Sequence, residues 1–367
     1  MSVTILQGSC IERLKDIPSG TVQTCVTSPP YWGLRDYQTG EWVGGDPDCP
    51  HMRTTKIGKT TLTITGHKGM HEKDNVVGDA IYKTSCPKCG ATRKDEQLGL
   101  EETPEEYVEN LVKVFREVRR TLRDDGTLWV NLGDSYCGTG HKGDYTDPKY
   151  KDGRNGQKVA LNNKIQGLKQ KDLVGIPWRV AFALQSDGWY LRQDIIWNKP
   201  NPMPESVKDR CTKAHEYIFL LSKKKNYYFD SEAIKEEAVG ERWGKNKPMN
   251  TENSKDQTNQ FKGLSRERQM LFETRNKRSV WTVATKPYKE AHFATYPTAL
   301  IEPCIQAATP KDGTVLDPFG GSGTTALVAN QLGRKAIIVE LNPDYVEIAK
   351  NRLQNGLGLF LNLQEAI

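Results

Sequence analysis

Val315-Leu316-Asp317-Pro318-Phe319-Gly320-Gly321-Ser322-Gly323-Thr324-Thr325 decides the reading of this 367-residue chain. An apolar run ending in Asp reads as a strand, the glycines as a tight turn, and Thr324-Thr325-Ala326-Leu327 as a helix start. Glycines let the backbone approach a ligand closely, and a helix N-terminus favours a negative group. About twenty residues on, Ile337-Ile338-Val339-Glu340 ends the next strand in an acid that can take both ribose hydroxyls of a nucleoside. A nicotinamide fingerprint needs a third glycine that is missing here, and a phosphate loop needs a lysine that is absent. A plain glycine-rich turn leaves the Asp-Pro and the paired threonines unexplained.

Outward from that turn, the last third alternates cleanly: a helix at 298–307, a strand at 314–316, the turn and its helix, a strand at 336–340, and a closing helix from Pro343. The N-terminal part predicts strands at Val3–Leu6 and Val22–Thr27 around a helical turn at 11–14. The second strand runs into Ser28-Pro29-Pro30-Tyr31-Trp32, where two prolines force the backbone out of the sheet. Thr103-Pro104-Glu105-Glu106 caps a helix whose apolar face is Tyr107, Val108, Leu111, Val114, Phe115, Val118 and Leu122; Asp125-Gly126 ends it before a buried strand at 127–132. A helix at 176–186 and strands at 190–197 and 217–221 complete the pattern. Strands alternating with helices predict a doubly wound, largely parallel α/β sheet. The strand before Ser28 should lie beside the strand before Asp317, so that both loops open at the carboxyl edge, where ligands bind.

An exocyclic base amine is a poor nucleophile because its lone pair is delocalised into the ring. Accepting hydrogen bonds from the NH2 group makes the nitrogen more tetrahedral. The Ser28 side chain and the Pro29 carbonyl can accept them, Pro30 holds that carbonyl outward, and Tyr31 offers a stacking face.

Thr27-Ser28-Pro29-Pro30-Tyr31-Trp32 and Asp317-Pro318-Phe319-x-Gly321-x-Gly323-Thr324-Thr325 together resemble the catalytic and S-adenosylmethionine motifs of DNA amino-methyltransferases. Residues 126–136 (GTLWVNLGDSY), 195–199 (IIWNK) and 292–304 (HFATYPTALIEPC) also match segments of that family, so the resemblance covers most of the chain. The catalytic motif comes first and the cofactor motif last, which resembles the circularly permuted β group, whose target-recognition region lies between the two. The resemblance implies a Rossmann-like methyltransferase fold, S-adenosylmethionine held by Asp317, Phe319, Gly321, Gly323, Thr324, Thr325 and Glu340, and duplex DNA as substrate through base flipping. Such enzymes often read Gly-Asp near the adenine pocket; Gly8-Ser9 stands here, so Ser9 supplies no acid. Ser at the first catalytic position goes with cytosine N4, Asp with adenine N6, so Ser28 points to cytosine. The alternatives left open are the adenine-N6 enzyme and a DNA-binding protein with an inactive core. A carbon-5 enzyme would use a Pro-Cys nucleophile, but Pro303-Cys304 falls in an amphipathic helix, and Cys304 reads as a core thiol.

Eight cysteines in a reducing compartment suggest metal ligands or buried thiols. Cys49-x-His51 and Cys86-x-x-Cys89-Gly90 supply four ligands on two knuckles, a closed set expected to hold a structural zinc, with His67 and His71 as substitutes for His51. The net charge of +6 suits an anionic partner. Residues 242–289 carry twelve Lys/Arg against four Asp/Glu, and 141–171 carry eight against three Asp. Lys199, Arg275, Lys277 and Arg278 are the candidate DNA contacts. The expected organisation is a catalytic half of the core at 1–38, a zinc-binding insertion at 39–100, core with a basic loop (139–172) over 101–230, a target-recognition region at 231–290, and a cofactor-binding half at 291–367. No secretory signal or membrane span is read, which predicts a cytoplasmic, nucleoid-associated protein. The resemblance further implies a bacterial or phage source, and allows a homodimer and a cognate restriction endonuclease as partners.

Overall fold

The computed structural model describes residues 2–33, 39–49, 51–53, 80–81, 85–137, 167–238, 274–286, 295–357 and 362–366. A central sheet holds nine strands: β1 (Ser2–Gln7), β2 (Val22–Thr27), β3 (Leu122–Leu132), β4 (Tyr190–Asn198), β5 (His215–Ser222), β6 (Val280–Thr282), β7 (Thr314–Asp317), β8 (Lys335–Glu340) and β9 (Asn362–Ala366). Their spatial order is β6-β4-β5-β3-β2-β7-β8-β1-β9. From β3 to β9 every pairing is parallel, as the alternation predicts. The exception is β5, which is antiparallel to both β3 and β4. A parallel return needs a crossover, usually a helix; the 199–214 connection contains none and closes with Lys199 N–H donating to the Ala214 carbonyl at 2.8 Å.

Helices α1 (Cys10–Lys15), α2 (Pro104–Thr121) and α3 (Ile176–Ser186) cover one face, and α4 (Thr298–Ala308), α5 (Thr324–Gln331) and α6 (Pro343–Leu357) the other. Strand residues alternate between the two layers, as period-2 geometry requires: Cys25, Leu128 and Val130 join the first, Val26 and Trp129 the second. With both faces covered, β2 is buried along its whole length.

In α2 the Thr103 hydroxyl accepts from Glu106 N–H at 3.1 Å, Pro104 opens the first turn, and Tyr107, Leu111, Val114, Phe115 and Val118 form the buried stripe. Truncating Phe115 to alanine would cost about 3–5 kcal/mol. The helix stops at Thr121, earlier than Asp125-Gly126 suggests, because Leu122 already pairs with Val22; a register irregularity between Val22 and Thr24 absorbs the extra residues.

Residues 41–43 pair antiparallel with 92–94, and Met52–Arg53 with Ala80–Ile81, forming two small sheets separate from the central one. Most of the basic loop, most of the 231–290 region, and His67 and His71 lie outside the described residues. Among the described residues no helix is long and apolar enough to cross a membrane.

Candidate active site and metal cluster

Strands β2 and β7 are neighbours, with Val315 beside Thr24 and Leu316 beside Cys25, as the sequence predicts. The Ser28 and Pro318 loops therefore leave the sheet side by side. Asp317 ties them together from within the core, at 1% exposure. Its Oδ1 accepts from the Thr27 hydroxyl at 2.6 Å and Phe319 N–H at 3.0 Å; its Oδ2 accepts from the Thr325 hydroxyl at 2.5 Å and the Tyr296 hydroxyl at 3.0 Å. Burial pushes the Asp317 carboxyl above the usual carboxylate value, against the pull of these donors.

The glycine turn carries two left-handed residues, Gly321 at φ +50° and Gly323 at φ +75°, where a side chain would be strained. It docks on the end of β8: Gly321 N–H donates to Glu340 Oε2 at 2.7 Å, and Asn342 N–H to Oε1 at 2.8 Å. Burial pushes the Glu340 carboxyl up to about 7. Gly8 N–H donates to the Glu340 backbone carbonyl at 2.9 Å, so Ser9 lies beside the same strand end. Thr324 and Thr325 are both buried; an Arg352 guanidinium N–H donates to the Thr324 hydroxyl at 2.8 Å, and the Thr325 hydroxyl oxygen lies against that of Tyr296. The threonines thus brace the turn within the protein.

On the other loop, the Tyr107 hydroxyl donates to the Pro30 carbonyl at 2.8 Å and the Trp32 indole to the Glu101 carbonyl at 3.0 Å, anchoring the Pro-Pro segment on α2 and its approach. The Tyr31 ring packs on Gly133, where an added Cβ would lie 2.5 Å from Cε2, so one ring face is taken by the backbone. Its hydroxyl donates to Glu216 Oε2 at 2.7 Å and approaches Asn131 Oδ1 at 3.1 Å. Burial and the Glu216 charge hold the Tyr31 phenol well above its ordinary pKa, so it stays a donor. Ser28 Oγ donates to Asn131 Oδ1 at 3.4 Å.

Asn131, Glu216 and Tyr296 are not singled out by the sequence. The signal for Asn131 is one amide in the apolar run Leu128-Trp129-Val130-Asn131-Leu132. Lys199, a candidate DNA contact, stands in this site: its Nζ pairs with Glu216 Oε1 and sits 4.2 Å over the Trp197 ring. Arg275 and Arg278 lie apart, sharing Glu236 Oε1 at 2.9 and 2.7 Å, with Lys277 Nζ 5.2 Å over the Trp281 ring. Cys304 is a core thiol, buried and bonded to the Leu300 carbonyl, and burial raises its pKa.

Cys49, His51, Cys86 and Cys89 converge, with all four ligand atoms within 4.8 Å of one another. Cys86 and Gly90 close a knuckle through Cys86 N–H to Ala91 O and Gly90 N–H to Cys86 O, both 2.8 Å, and the His51 ring stacks on Trp42 at 4.3 Å. A tetrahedron with metal–sulfur bonds of about 2.3 Å and metal–nitrogen bonds of about 2.0–2.1 Å has edges of about 3.8 Å (S–S) and 3.5 Å (S–N). Cys49 Sγ lies 3.8 Å from Cys86 Sγ, and Cys89 Sγ lies 3.5 Å from His51 Nδ1. The four residues can hold a metal ion.

Residues 22–351 match the N6/N4 methyltransferase family, described as DNA methylase. The Type II methyltransferase M.Cfr9I of Citrobacter freundii is 42% identical over 96% of this chain and 87% of its own length. M.SmaI of Serratia marcescens is 39% identical over 96% of this chain and 91% of its own. Among solved structures, PvuII DNA methyltransferase (cytosine-N4-specific) superposes with a TM-score of 0.54 at 17% identity, covering 100% of this chain and 96% of that one; it has the same fold. A family match across nine-tenths of the chain, on a doubly wound sheet whose Ser-Pro-Pro-Tyr and Asp-Pro-Phe loops share one edge, makes the protein a member of the N6/N4 DNA methylase family.

Proposed function

We propose that this DNA methylase transfers the methyl group of S-adenosylmethionine to the exocyclic N4 amine of a cytosine flipped out of duplex DNA. The observation that carries the reading is the Thr27–Asp317 bond, which fixes the Ser28 loop against the glycine turn. The Glu340 carboxylate, already aimed by two backbone N–H groups, fits the ribose hydroxyls; Phe319, Gly321 and Gly323 wall the pocket, and Ser9 flanks its adenine side. Asp317, Thr324 and Thr325 keep the turn in shape. S-Adenosylmethionine supplies an electrophilic methyl on a sulfonium.

Ser28 and the Pro29 carbonyl accept hydrogen bonds from the target NH2, which gathers its lone pair on nitrogen, while Pro30 and Tyr31 hold the loop and the base. The nitrogen–methyl bond forms as the sulfur–methyl bond breaks, and the amine proton leaves to solvent. Preset acceptors and alignment supply the acceleration.

Cys49, His51, Cys86 and Cys89 would hold zinc, closing the 39–100 insertion between the catalytic loop and α2. The basic 231–290 and 139–172 segments are the target-recognition and clamping regions, with Arg275, Lys277 and Arg278 on phosphates or bases. The motif order supports the permuted arrangement, and the Type II relatives support a restriction–modification role beside a cognate endonuclease.

The test is to react the protein with labelled S-adenosylmethionine and mixed-sequence duplex DNA, then identify the methylated nucleoside. N4-methylcytidine supports the reading. Methyladenosine alone would move the target to adenine N6, and no transfer to any duplex would leave a binding protein with an inactive core.

A further inference from the structure

A serine hydroxyl both donates and accepts, whereas the reading above needs Ser28 to accept from the base amine. Its single proton must therefore be directed elsewhere. Asn131, at 4% exposure on β3, places its Oδ1 3.4 Å from Ser28 Oγ, beside the Tyr31 phenol oxygen, which also takes a hydrogen bond from Ser28. An amide can offer either its oxygen or its NH2, and here two acceptors on β5 decide the matter. Asn131 Nδ2 donates to the Tyr217 backbone carbonyl at 3.1 Å and to Glu216 Oε2 at 3.3 Å. A backbone carbonyl never donates, so the NH2 must face β5 and the oxygen must face Ser28. Lys199 pairs with the other Glu216 oxygen, and the Tyr31 phenol, kept protonated, donates to Oε2 at 2.7 Å. Both Glu216 oxygens are thereby engaged as acceptors.

We infer that Asn131, oriented by Glu216 and Lys199, is a positioning residue that directs the Ser28 proton away from the substrate and leaves the Ser28 oxygen as an acceptor for the target amine. A carboxylate at position 28 would be an acceptor without help; a serine needs this partner. The chain Lys199–Glu216–Asn131 thus couples the choice of Ser28 to a device that fixes its polarity. It also accounts for a lysine–glutamate pair held at 18% and 14% side-chain exposure rather than out in solvent.

The inference rests on Ser28 acting on the amine, so the experiment is a double-mutant cycle. Single-turnover methyl transfer is measured with saturating tritiated S-adenosylmethionine on unmethylated duplex DNA for wild type, Ser28→Ala, Asn131→Leu and the double variant. Cofactor affinity, DNA affinity and melting temperature are recorded alongside. Asn131→Leu should slow transfer by about 10- to 100-fold with both affinities unchanged, and should slow Ser28→Ala by less than about twofold. Equal losses from Asn131→Leu in both backgrounds would overturn the inference. Should Ser28→Ala transfer at the wild-type rate, the reading of Ser28 itself would fail, a result separate from that one.

Discussion

Replacing Glu340 with glutamine should remove most of the pH dependence of S-adenosylmethionine binding between pH 6 and pH 8. The Glu340 carboxyl sits at the end of β8 with two backbone N–H donors, yet burial carries its pKa from 4.5 up to about 7. A ribose hydroxyl donates best to the ionised form, so the ligand-free protein must lose a proton before it binds well. With a ligand-free pKa near 7 and full ionisation in the complex, affinity falls about tenfold from pH 8 to pH 6, about twofold of it above pH 7 and about fivefold below. The cofactor's own α-amino group titrates at about 7.7–8.0, so the wild-type curve alone is ambiguous. Glu340→Gln keeps the shape but not the titration, and the difference between the two curves isolates Glu340. Stability responds in the opposite sense. The folded state binds this proton more tightly than the unfolded chain, so the ligand-free wild type should gain stability as pH falls from about 7 toward 4.5, and the glutamine variant should not gain it. Calorimetric titration at half-unit steps from pH 6 to 8, with melting curves carried on down to pH 4.5, measures both. Parallel affinity curves for the two proteins would refute the assignment of Glu340 to the ribose; parallel melting profiles would refute its raised pKa.

Asp317→Ala strands four donors, the buried hydroxyls of Thr27 on β2 and Thr325 on α5 and the half-buried Phe319 N–H and Tyr296 hydroxyl. At about 1–3 kcal/mol each, with partial relief as Tyr296 and Thr325 rebond, the loss should be about 3–5 kcal/mol. For a chain of this length that lowers the melting temperature by about 4–6 °C, and a change under about 1 °C in scanning calorimetry would contradict the clasp. Purified protein should contain about one zinc per chain; Cys86→Ser should lose it and lower the melting temperature, whereas elemental analysis below about half a zinc per chain would remove the four-ligand site. Arg278→Ala should weaken DNA binding uniformly across sequences and lower the salt-dependence slope by about one, measured by fluorescence anisotropy at several salt concentrations; an unchanged slope would place Arg278 off the phosphates.

The sequence by itself determined the covalent order of strands and helices, the two loops that matter, and the four metal-ligand candidates. Each is written in local chemistry: apolar period, Pro-Pro, glycines beside an acid, and Cys-x-x-Cys-Gly. Alternation put both loops on one edge of the sheet, and the family resemblance implied that β2 and β7 would be neighbours there. Only the tertiary structure decided what stands behind those loops. Residues 131, 199 and 216 are remote in sequence from Ser28, and nothing in their local pattern tells a polar core contact from a solvated one. Their meeting depends on β5 reversing direction between β3 and β4, which brings Glu216 and the Tyr217 carbonyl to Asn131. Strand direction is set by which edge the connection can reach and by side-chain packing on both faces, not by the residues of the strand alone. Lys199 illustrates the difference: as sequence it is a basic residue in a DNA-binding family, and in the fold it is the counter-charge that holds Glu216 in place.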